Sequence, residues 1–310
     1  AVRSAFSKSA GSMGAAGSVA WMFKKRGQFI FDAANYDEEA MMDAAAPLNL
    51  PAGTIDIVGS GGAPSRRKHA LSVSTMACFV ASAAGAVVCK HGSVAASSSS
   101  GSFDTLAALG LAIELDGEGV ARCVEQVDLG FAFAKTFHPA MRYVGPVRSE
   151  LGVPTTFNFL GPLSHPGGVR RQVVGVSDPT MAPRVAGVLA ARGSEHALVV
   201  HGGDRLDEIT TTDLTRIYEV RDGEVISDTE FDPESVGIRR ANRAEIQGGS
   251  PEENVRIMHE LFSGTDTGPR ADIVAINAGV SSTEDSWTSG VSWKSFSVGL
   301  QVGVPRVVLR

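Results

Sequence analysis

The chain has 310 residues, of which 43% are hydrophobic and 20% are charged, so one large or two modest domains with a sizeable core are expected. Its formal net charge of −6 argues against a general nucleic-acid-binding surface or an anionic-membrane surface. No apolar run reaches the roughly 18 residues of a membrane span, and no signal-peptide layout is visible. The three cysteines are scattered and odd in number, so they predict neither disulfides nor a zinc site. We therefore expect a cytoplasmic protein.

Residues 1–45 differ in character from the rest of the chain. Two apolar runs flank the basic turn Lys24-Lys25-Arg26-Gly27, which predicts a hairpin. A helix is predicted over residues 36–45, because acidic residues occupy its first turn. We therefore expect residues 1–45 to form an atypical N-terminal segment, separate from a main domain that spans residues 46–280.

From residue 55 the chain alternates short apolar strands with helices. A strand over residues 55–58 ends in a glycine turn, residues 59–62, and Ser74-Thr75 is predicted to cap a helix over residues 76–84. A second strand, residues 86–89, then delivers Lys90-His91-Gly92 at its C-terminal end. Repeated strand–helix units with polar residues at the strand ends predict a largely parallel sheet flanked by helices, with a site along that edge.

The remainder of the main domain continues in the same manner, whereas residues 281–310 are rich in serine, threonine and tryptophan without helical periodicity. We expect these last residues to form a divergent C-terminal segment. The later elements are predicted as helices over residues 103–109, 139–151, 181–192 and 251–262 (capped by Ser250), strands over residues 196–201 and 271–276, and a hairpin of residues 214–220 and 224–226 around Asp222-Gly223.

Three separated motifs together predict a phosphate site. The glycine turn allows backbone N–H groups to approach phosphate oxygens, Lys90 adds a positive charge, and Asp207-Glu208, followed by three threonines, can hold Mg²⁺. Each motif alone has a commoner explanation, namely a tight turn, a solvated loop end or an exposed acidic pair. In combination they indicate an enzyme that binds a magnesium-loaded phosphorylated sugar.

Further motifs extend this pattern over about three quarters of the chain, from about residue 42 to residue 279. They are Asp56-Ile57-Val58-Gly59-Ser60-Gly61-Gly62, Ser74-Thr75-Met76-Ala77, Lys90-His91-Gly92, Ser97-Ser98, Phe137-His138-Pro139-Ala140-Met141, Val147-Arg148, Gly152-Val153-Pro154-Thr155, Leu160-Gly161-Pro162-Leu163 and Leu206-Asp207-Glu208. In their order and spacing these motifs resemble those of the anthranilate phosphoribosyltransferase family.

The resemblance implies a nucleoside phosphorylase/phosphoribosyltransferase-like α/β fold with a small N-terminal helical domain, here reduced or replaced. It also implies the activity: transfer of the phosphoribosyl group from phosphoribosyl pyrophosphate (PRPP) to the amine of anthranilate, with Mg²⁺ and release of pyrophosphate, a step of tryptophan biosynthesis. The transition state gathers positive charge on the ribose and negative charge on the leaving group. Positioning and electrostatic stabilisation therefore matter most, and no catalytic acid, base or nucleophile is expected.

The resemblance also implies roles for individual residues. Arg148 and His138, with His91, would face the anthranilate, and Arg148 would pair with its carboxylate. The expected metal ligands are Ser74, Asp207 and Glu208. The expected substrate-binding residues are Gly59, Ser60, Gly61, Gly62, Ser74, Thr75, Lys90, His91, Gly92, Ser98, His138 and Arg148.

The chain departs from the family pattern near the expected site. Ala63 replaces an aspartate, Ser72 an asparagine, and Ser93-Val94 an Asn-Arg pair. Each lost hydrogen bond is worth roughly 0.5–3 kcal/mol, which predicts slower turnover. The alternative is a catalytically decayed homologue that binds nucleic acid or a protein partner; a nucleoside phosphorylase is disfavoured by the anthranilate-side residues.

The N-terminal segment carries a second resemblance. Phe6-Ser7-Lys8, the run from Gly17 to Phe23, and Lys25-Arg26-Gly27 are similar to a fragment of the YebC family of regulators, over residues 2–31. This segment takes the place of most of the helical domain through which the transferases form homodimers. We therefore expect PRPP and anthranilate as ligands and no membrane or nucleic-acid partner. A homodimer is not favoured by the sequence, because the helices that usually form the dimer are not evident in it.

Overall fold

The structure, a computed structural model, describes residues 48–61, 69–95, 100–139 and 157–280. The predicted segments 1–45 and 281–310 lie outside the described residues, as does the helix predicted over residues 139–151 beyond its first residue. Three of the expected site residues also lie outside them: Gly62, Ser98 and Arg148.

A seven-stranded sheet forms the centre of the described region. The strands lie side by side in the order third, second, first, fourth, fifth, sixth, seventh; the first five are parallel and the last two form an antiparallel hairpin on one edge. The expected largely parallel α/β sheet is therefore confirmed. The strands are β1 (Ile55–Gly59), β2 (Val88–Gly92), β3 (Leu129–Phe133), β4 (Arg171–Gly175), β5 (His196–Gly202), β6 (Thr215–Arg221) and β7 (Glu224–Phe231).

Eight α-helices accompany the sheet in the described residues, and a short 3-10 helix follows β7 at Pro233–Val236. No helix in these parts of the chain is both long enough and apolar enough to cross a bilayer. The helices are α1 (Val73–Ala83), α2 (Ser102–Ala108), α3 (Gly117–Val127), α4 (Ala134–Phe137), α5 (Phe157–Leu163), α6 (Ala182–Ala191), α7 (Pro251–Phe262) and α8 (Pro269–Gly279).

The helices bury their apolar faces on both sides of the sheet. One core packs α1, α7 and α8, through side chains such as Met76 and Ile273, against Ile57 of β1 and Val88 of β2. A second core joins α6, through Val185 and Leu189, to β4 and β5. Strands buried on both faces are typical of parallel sheets, which explains why β1 and β5 read as continuous apolar runs.

Two local predictions are confirmed in detail. Asp222 and Gly223 both have positive φ, 48° and 80°, so the β6–β7 hairpin turns in the left-handed backbone conformation that an Asp-Gly pair favours. Helix α7 begins after Ser250, whose side chain accepts a hydrogen bond from the Glu253 N–H.

Other predictions were wrong in type or position. Residues 271–276, expected as a strand, belong to helix α8, since a short apolar run does not distinguish a buried helix from a strand. The N-cap of α1 is Ser72, so Ser74 and Thr75 lie inside the first turn instead of capping it. Strand β2 extends to Gly92, which places Lys90 within the strand. Helices α3, α4 and α5 and strands β3 and β4 were not predicted.

Candidate functional site

The sheet changes winding direction between β1 and β4, and the candidate site lies there. The chain runs outward from β1 through β2 to β3, and then returns to place β4 on the other side of β1. In such sheets a crevice opens beyond the carboxyl ends of the two central strands. Both strands end in glycine, and Gly59 and Gly175 are direct neighbours in the register.

The acidic loop after β5 lies directly on these two glycines. A Cβ at Gly59 would collide with the carboxylate of Asp207, and a Cβ at Gly175 would collide with its main-chain carbonyl. The paired glycines therefore form a cradle that brings Asp207 onto the strand ends. Asp207 and Glu208 are both buried, with 7% and 6% of their surface exposed.

The glycine turn holds the same carboxylate from the other side. Gly61 has a φ of +65°, a conformation that favours glycine, and its N–H donates to Asp207 Oδ2 at 2.7 Å. Ser60 is buried and turned into the protein: its N–H donates to the Gly175 carbonyl, and its hydroxyl accepts from the Ser177 N–H. The Gly61 N–H, expected to face pyrophosphate, thus orients the acidic pair.

A compact polar network supports the acidic loop from below. Asp204 Oδ2 accepts hydrogen bonds from the hydroxyls of Thr210 and Thr212, at 3.1 and 2.6 Å. Its Oδ1 accepts from the Leu206 N–H at 3.2 Å, one residue before Asp207. Two of the three threonines that the sequence associates with the acidic pair therefore bind Asp204, whereas the buried Thr211 hydroxyl has no partner among the described residues.

Lys90 and Asp56 join β1 to β2 through their side chains. The two strands share a single register pair, Ile55 with Val88. Beyond it, Lys90 Nζ donates to the Ile57 carbonyl at 2.5 Å, and Asp56 Oδ1 accepts from the His91 N–H at 3.0 Å. Both side chains are almost fully buried. Burial raises the pKa of Asp56, while His165 and Lys90 oppose that rise.

Three buried histidines lie at the end of β2. The Nε2 atoms of His91 and His138 are 3.1 Å apart, and the rings of His91 and His165 meet edge to face at 5.7 Å. Desolvation lowers the pKa of all three imidazoles, most strongly that of His91. These rings are therefore neutral at physiological pH, and either Nε2 of the His91–His138 pair can donate or accept a hydrogen bond according to its tautomer.

The first turn of α1 contributes hydroxyl groups at the same edge of the sheet. The Ser72 hydroxyl pairs with the Thr105 hydroxyl at 2.8 Å, and Ser74 is half-buried. Thr75 is fully buried, and among the described residues its hydroxyl has no hydrogen-bond partner. A buried hydroxyl without a partner is costly unless a ligand satisfies it.

The residues present fit a magnesium ion that is shared with a phosphorylated substrate. Carboxylate oxygens of the Asp207-Glu208 pair are the hard ligands that Mg²⁺ prefers, and the glycine cradle brings them to the strand ends. In the described parts of the chain no group of three or more acidic, histidine or cysteine side chains could form a complete cage. Mg²⁺ usually keeps several waters and substrate oxygens, so an incomplete protein ligand set agrees with this ion.

The structure brings five of the expected site residues into contact, in two separate groups. Gly59, Gly61 and Asp207 are in contact, and His91 meets His138. Lys90 lies within the sheet, on the Ile57 carbonyl, and not at an exposed strand end. Three residues of this region were not predicted as part of the site: Gly175, whose strand was not predicted; Asp56, signalled only by a charge inside an apolar run; and His165, which belongs to none of the motifs.

Two family models match the chain. One, described as "Glycosyl transferase family, a/b domain", matches residues 52–292. The other, "TACO1/YebC second and third domain", matches residues 1–71, so the N-terminal resemblance is found over a longer stretch than predicted. The two matches overlap at residues 52–71, and there the structure places β1 inside the parallel sheet of the first family's domain.

Known proteins resemble the chain in both sequence and fold. The anthranilate phosphoribosyltransferase of Herpetosiphon aurantiacus is 48% identical over 241 residues, which cover 77% of this chain and 70% of that protein. The crystal structure of the Thermus thermophilus enzyme superposes with a TM-score of 0.72 at 40% identity, covering 85% of this chain and 76% of that chain. The Saccharomyces cerevisiae enzyme in complex with PRPP and Mg gives 0.73 at 29% identity, covering 84% and 72%.

Proposed function

This chain belongs to the anthranilate phosphoribosyltransferase family, and we propose that the cleft at the ends of β1, β2 and β4 binds Mg²⁺–PRPP and anthranilate for the transfer. The reaction moves the phosphoribosyl group to the amine of anthranilate and releases pyrophosphate. The observation that carries the assignment of the site is the Asp207 loop seated on Gly59 and Gly175 at the switch point of the sheet.

The PRPP side of the cleft is supported by the arrangement of its polar groups. The Gly61 N–H engages Asp207 Oδ2, so Oδ1 is the oxygen of this carboxylate that would bind a metal ion. When bound, Mg²⁺ would neutralise charge on the pyrophosphate as it leaves. The Thr75 hydroxyl and the first-turn N–H groups of α1 would donate hydrogen bonds to phosphate oxygens, because a helix N-terminus favours anions. The metal role of Ser74 stays a prediction.

Lys90 contributes to the site from inside the sheet. Its Nζ holds the Ile57 carbonyl, two residues before Gly59, and so fixes the strand that carries the glycine turn. Its positive charge lies near Asp56, whose raised pKa limits the negative charge that would offset it, so Lys90 favours the binding of an anion by attraction. We therefore propose a supporting and electrostatic role for Lys90 in place of the direct contact expected from the sequence.

The histidine pair is suited to a neutral acceptor amine. Neutral imidazoles add no positive charge next to a ribose that becomes positive in the transition state. If the amine of anthranilate displaces one ring from the His91–His138 contact, the Nε2 atom that it frees can accept an N–H hydrogen bond and so aim the nitrogen lone pair of anthranilate at the reacting carbon. Arg148, outside the described residues, stays the predicted partner of the anthranilate carboxylate.

Calorimetry with PRPP tests the proposal directly. We expect saturable, Mg²⁺-dependent binding to the full chain, and loss of the Mg²⁺ dependence in Asp207→Asn and Glu208→Gln. Asp228→Asn is the matched control, because that carboxylate pairs with Arg216 on the exposed hairpin. Unchanged Mg²⁺ dependence in both site variants would remove the acidic pair from the proposal.

A turnover assay separates the enzyme from a decayed homologue. Loss of anthranilate fluorescence in the presence of Mg²⁺–PRPP is expected for an active transferase. No PRPP binding and no turnover, together with a salt-sensitive shift of RNA, would favour a nucleic-acid-binding protein instead. One departure has a role in the fold: the Ser72 hydroxyl pairs with the Thr105 hydroxyl.

A further inference from the structure

Helices α7 and α8 each carry one buried asparagine whose amide binds the main chain of a loop far away in sequence. Asn254 on α7 is 0% exposed and Asn277 on α8 is 3% exposed. A buried amide is costly unless all of its donors and acceptors are used. In both residues the oxygen accepts from, and the nitrogen donates to, backbone groups.

Asn277 binds the loop that carries the acidic pair. Its Oδ1 accepts from the Ile209 N–H at 3.0 Å, and its Nδ2 donates to the Ile209 carbonyl at 2.8 Å. Nδ2 also donates to the Ile273 carbonyl at 2.8 Å, one helical turn earlier, which fixes the amide to α8. Ile209 directly follows Glu208, so the amide binds this loop as a neighbouring strand would.

Asn254 binds the segment that leads into α1. Its Oδ1 accepts from the Ser72 N–H at 3.2 Å, and its Nδ2 donates to the Ala70 carbonyl at 2.9 Å. Gly248 packs tightly against this contact, because a Cβ there would lie 2.6 Å from Asn254 Oδ1 and 2.5 Å from the Ala70 carbonyl oxygen. Ser72 is the N-cap of α1, two residues before Ser74.

From this arrangement we propose that Asn254 and Asn277 are positioning residues, which fix the α1 N-terminus and the Asp207-Glu208 loop in the geometry that binds Mg²⁺–PRPP. The inference rests on the proposed function, because it assigns a task within that same site. The two helices are neighbours in the chain and share one core with α1. Helices α7 and α8 thus hold both halves of the anion site, through contacts that span 182 and 68 positions of the sequence.

The test measures Mg²⁺–PRPP affinity and amide exchange in Asn254→Ala and Asn277→Ala, with the uncharged Asn→Ser variants, which keep a small polar group, in reserve if either fails to fold. We expect the dissociation constant to rise about tenfold in each, as is usual when a group that orients a metal ligand is removed. Hydrogen exchange should accelerate in residues 207–211 for the Asn277 variant and in residues 69–72 for the Asn254 variant, without any ligand.

Leu189→Ala is the control for mere loss of stability. It opens a cavity beneath α6 in the second core, so its thermal midpoint should fall while its Mg²⁺–PRPP affinity stays at the wild-type value. Wild-type affinity in both asparagine variants, or exchange that does not accelerate in the two named segments, would overturn the inference. Failure of the wild type to bind PRPP would overturn the proposed function, and the exchange measurement would still test the two contacts.

Discussion

Gly175 tests the site assignment most directly, because no side chain fits between β4 and the main chain of Asp207. A Cβ at this position would overlap the carbonyl oxygen and carbon of Asp207 and lie 3.2 Å from its Cα. Strand β4 cannot move away, since it is paired with β1 on one side and with β5 on the other. The Asp207 carbonyl must therefore withdraw by about 1.5 Å or more to regain the roughly 3.5 Å separation of non-bonded heavy atoms.

We expect Gly175→Ala to lower kcat/KM about 100-fold or more, because a displacement of about 1 Å at a positioned group costs of this order. The overpacking itself costs about 1–3 kcal/mol of folding free energy, which a domain of ordinary stability tolerates. Gly59→Ala should cost less folding free energy, since its Cβ would collide with the side-chain carboxylate of Asp207, whose main-chain oxygen lies 3.4 Å away.

The assay follows anthranilate fluorescence at saturating PRPP over a range of Mg²⁺ concentrations, and circular dichroism checks that each variant is folded. Gly187→Ala is the matched control: Gly187 is exposed within α6, and an added Cβ there meets nothing within 4 Å. A folded Gly175→Ala variant with wild-type kcat/KM and Mg²⁺ dependence would refute the steric reasoning.

Two further predictions concern stability. Burial lowers the pKa of His165, so below the ordinary value of about 6.5 the unfolded chain binds a proton that the native state does not. The free energy of unfolding should therefore fall as the pH falls, by up to about 1.4 kcal/mol per pH unit from this group. Urea titrations should show a shallower slope between pH 6.5 and 5 for His165→Asn; an unchanged slope would contradict the assignment. Ser250→Ala should lower the free energy of unfolding by about 1 kcal/mol, because α7 loses its N-cap. Ser263→Ala, at the exposed C-terminal end of the same helix, should lower it by about 0.5 kcal/mol or less. Equal losses in the two variants would contradict the capping role of Ser250.

The sequence predicts the parallel sheet because its signals are local. Strands β1 and β5 are short apolar runs followed by glycine, and the Asp222-Gly223 turn needs only two residues to define the hairpin. Helix α8 was wrongly predicted as a strand, because a local signal of this kind does not fix the type of element. Its apolar run is ambiguous over six residues, and only the full length from Pro269 to Gly279 marks it as a helix.

The candidate site could be predicted only as far as its motifs carry recognisable chemistry. The resemblance to a family named the glycine turn and the acidic pair, and the structure brings Gly61 and Asp207 together. The position of Lys90 was not predictable, because a lysine after an apolar run gives no sign that its side chain binds the neighbouring strand β1. The partners of Asn254 and Asn277 lie 182 and 68 residues away, and no local pattern encodes such a contact.

Strands β1 and β2 share a single register pair, so the main-chain pairing of the sheet is weakest between them. Over most of their length these strands are joined by the Lys90 ammonium and the Asp56 carboxylate, whereas β1 and β4 are joined by a full main-chain ladder. The histidines belong to the β2 side of this seam, and the glycine cradle belongs to the β1–β4 side. A shift of the histidine side against the glycine cradle would therefore strain two side-chain hydrogen bonds and would break no regular backbone ladder.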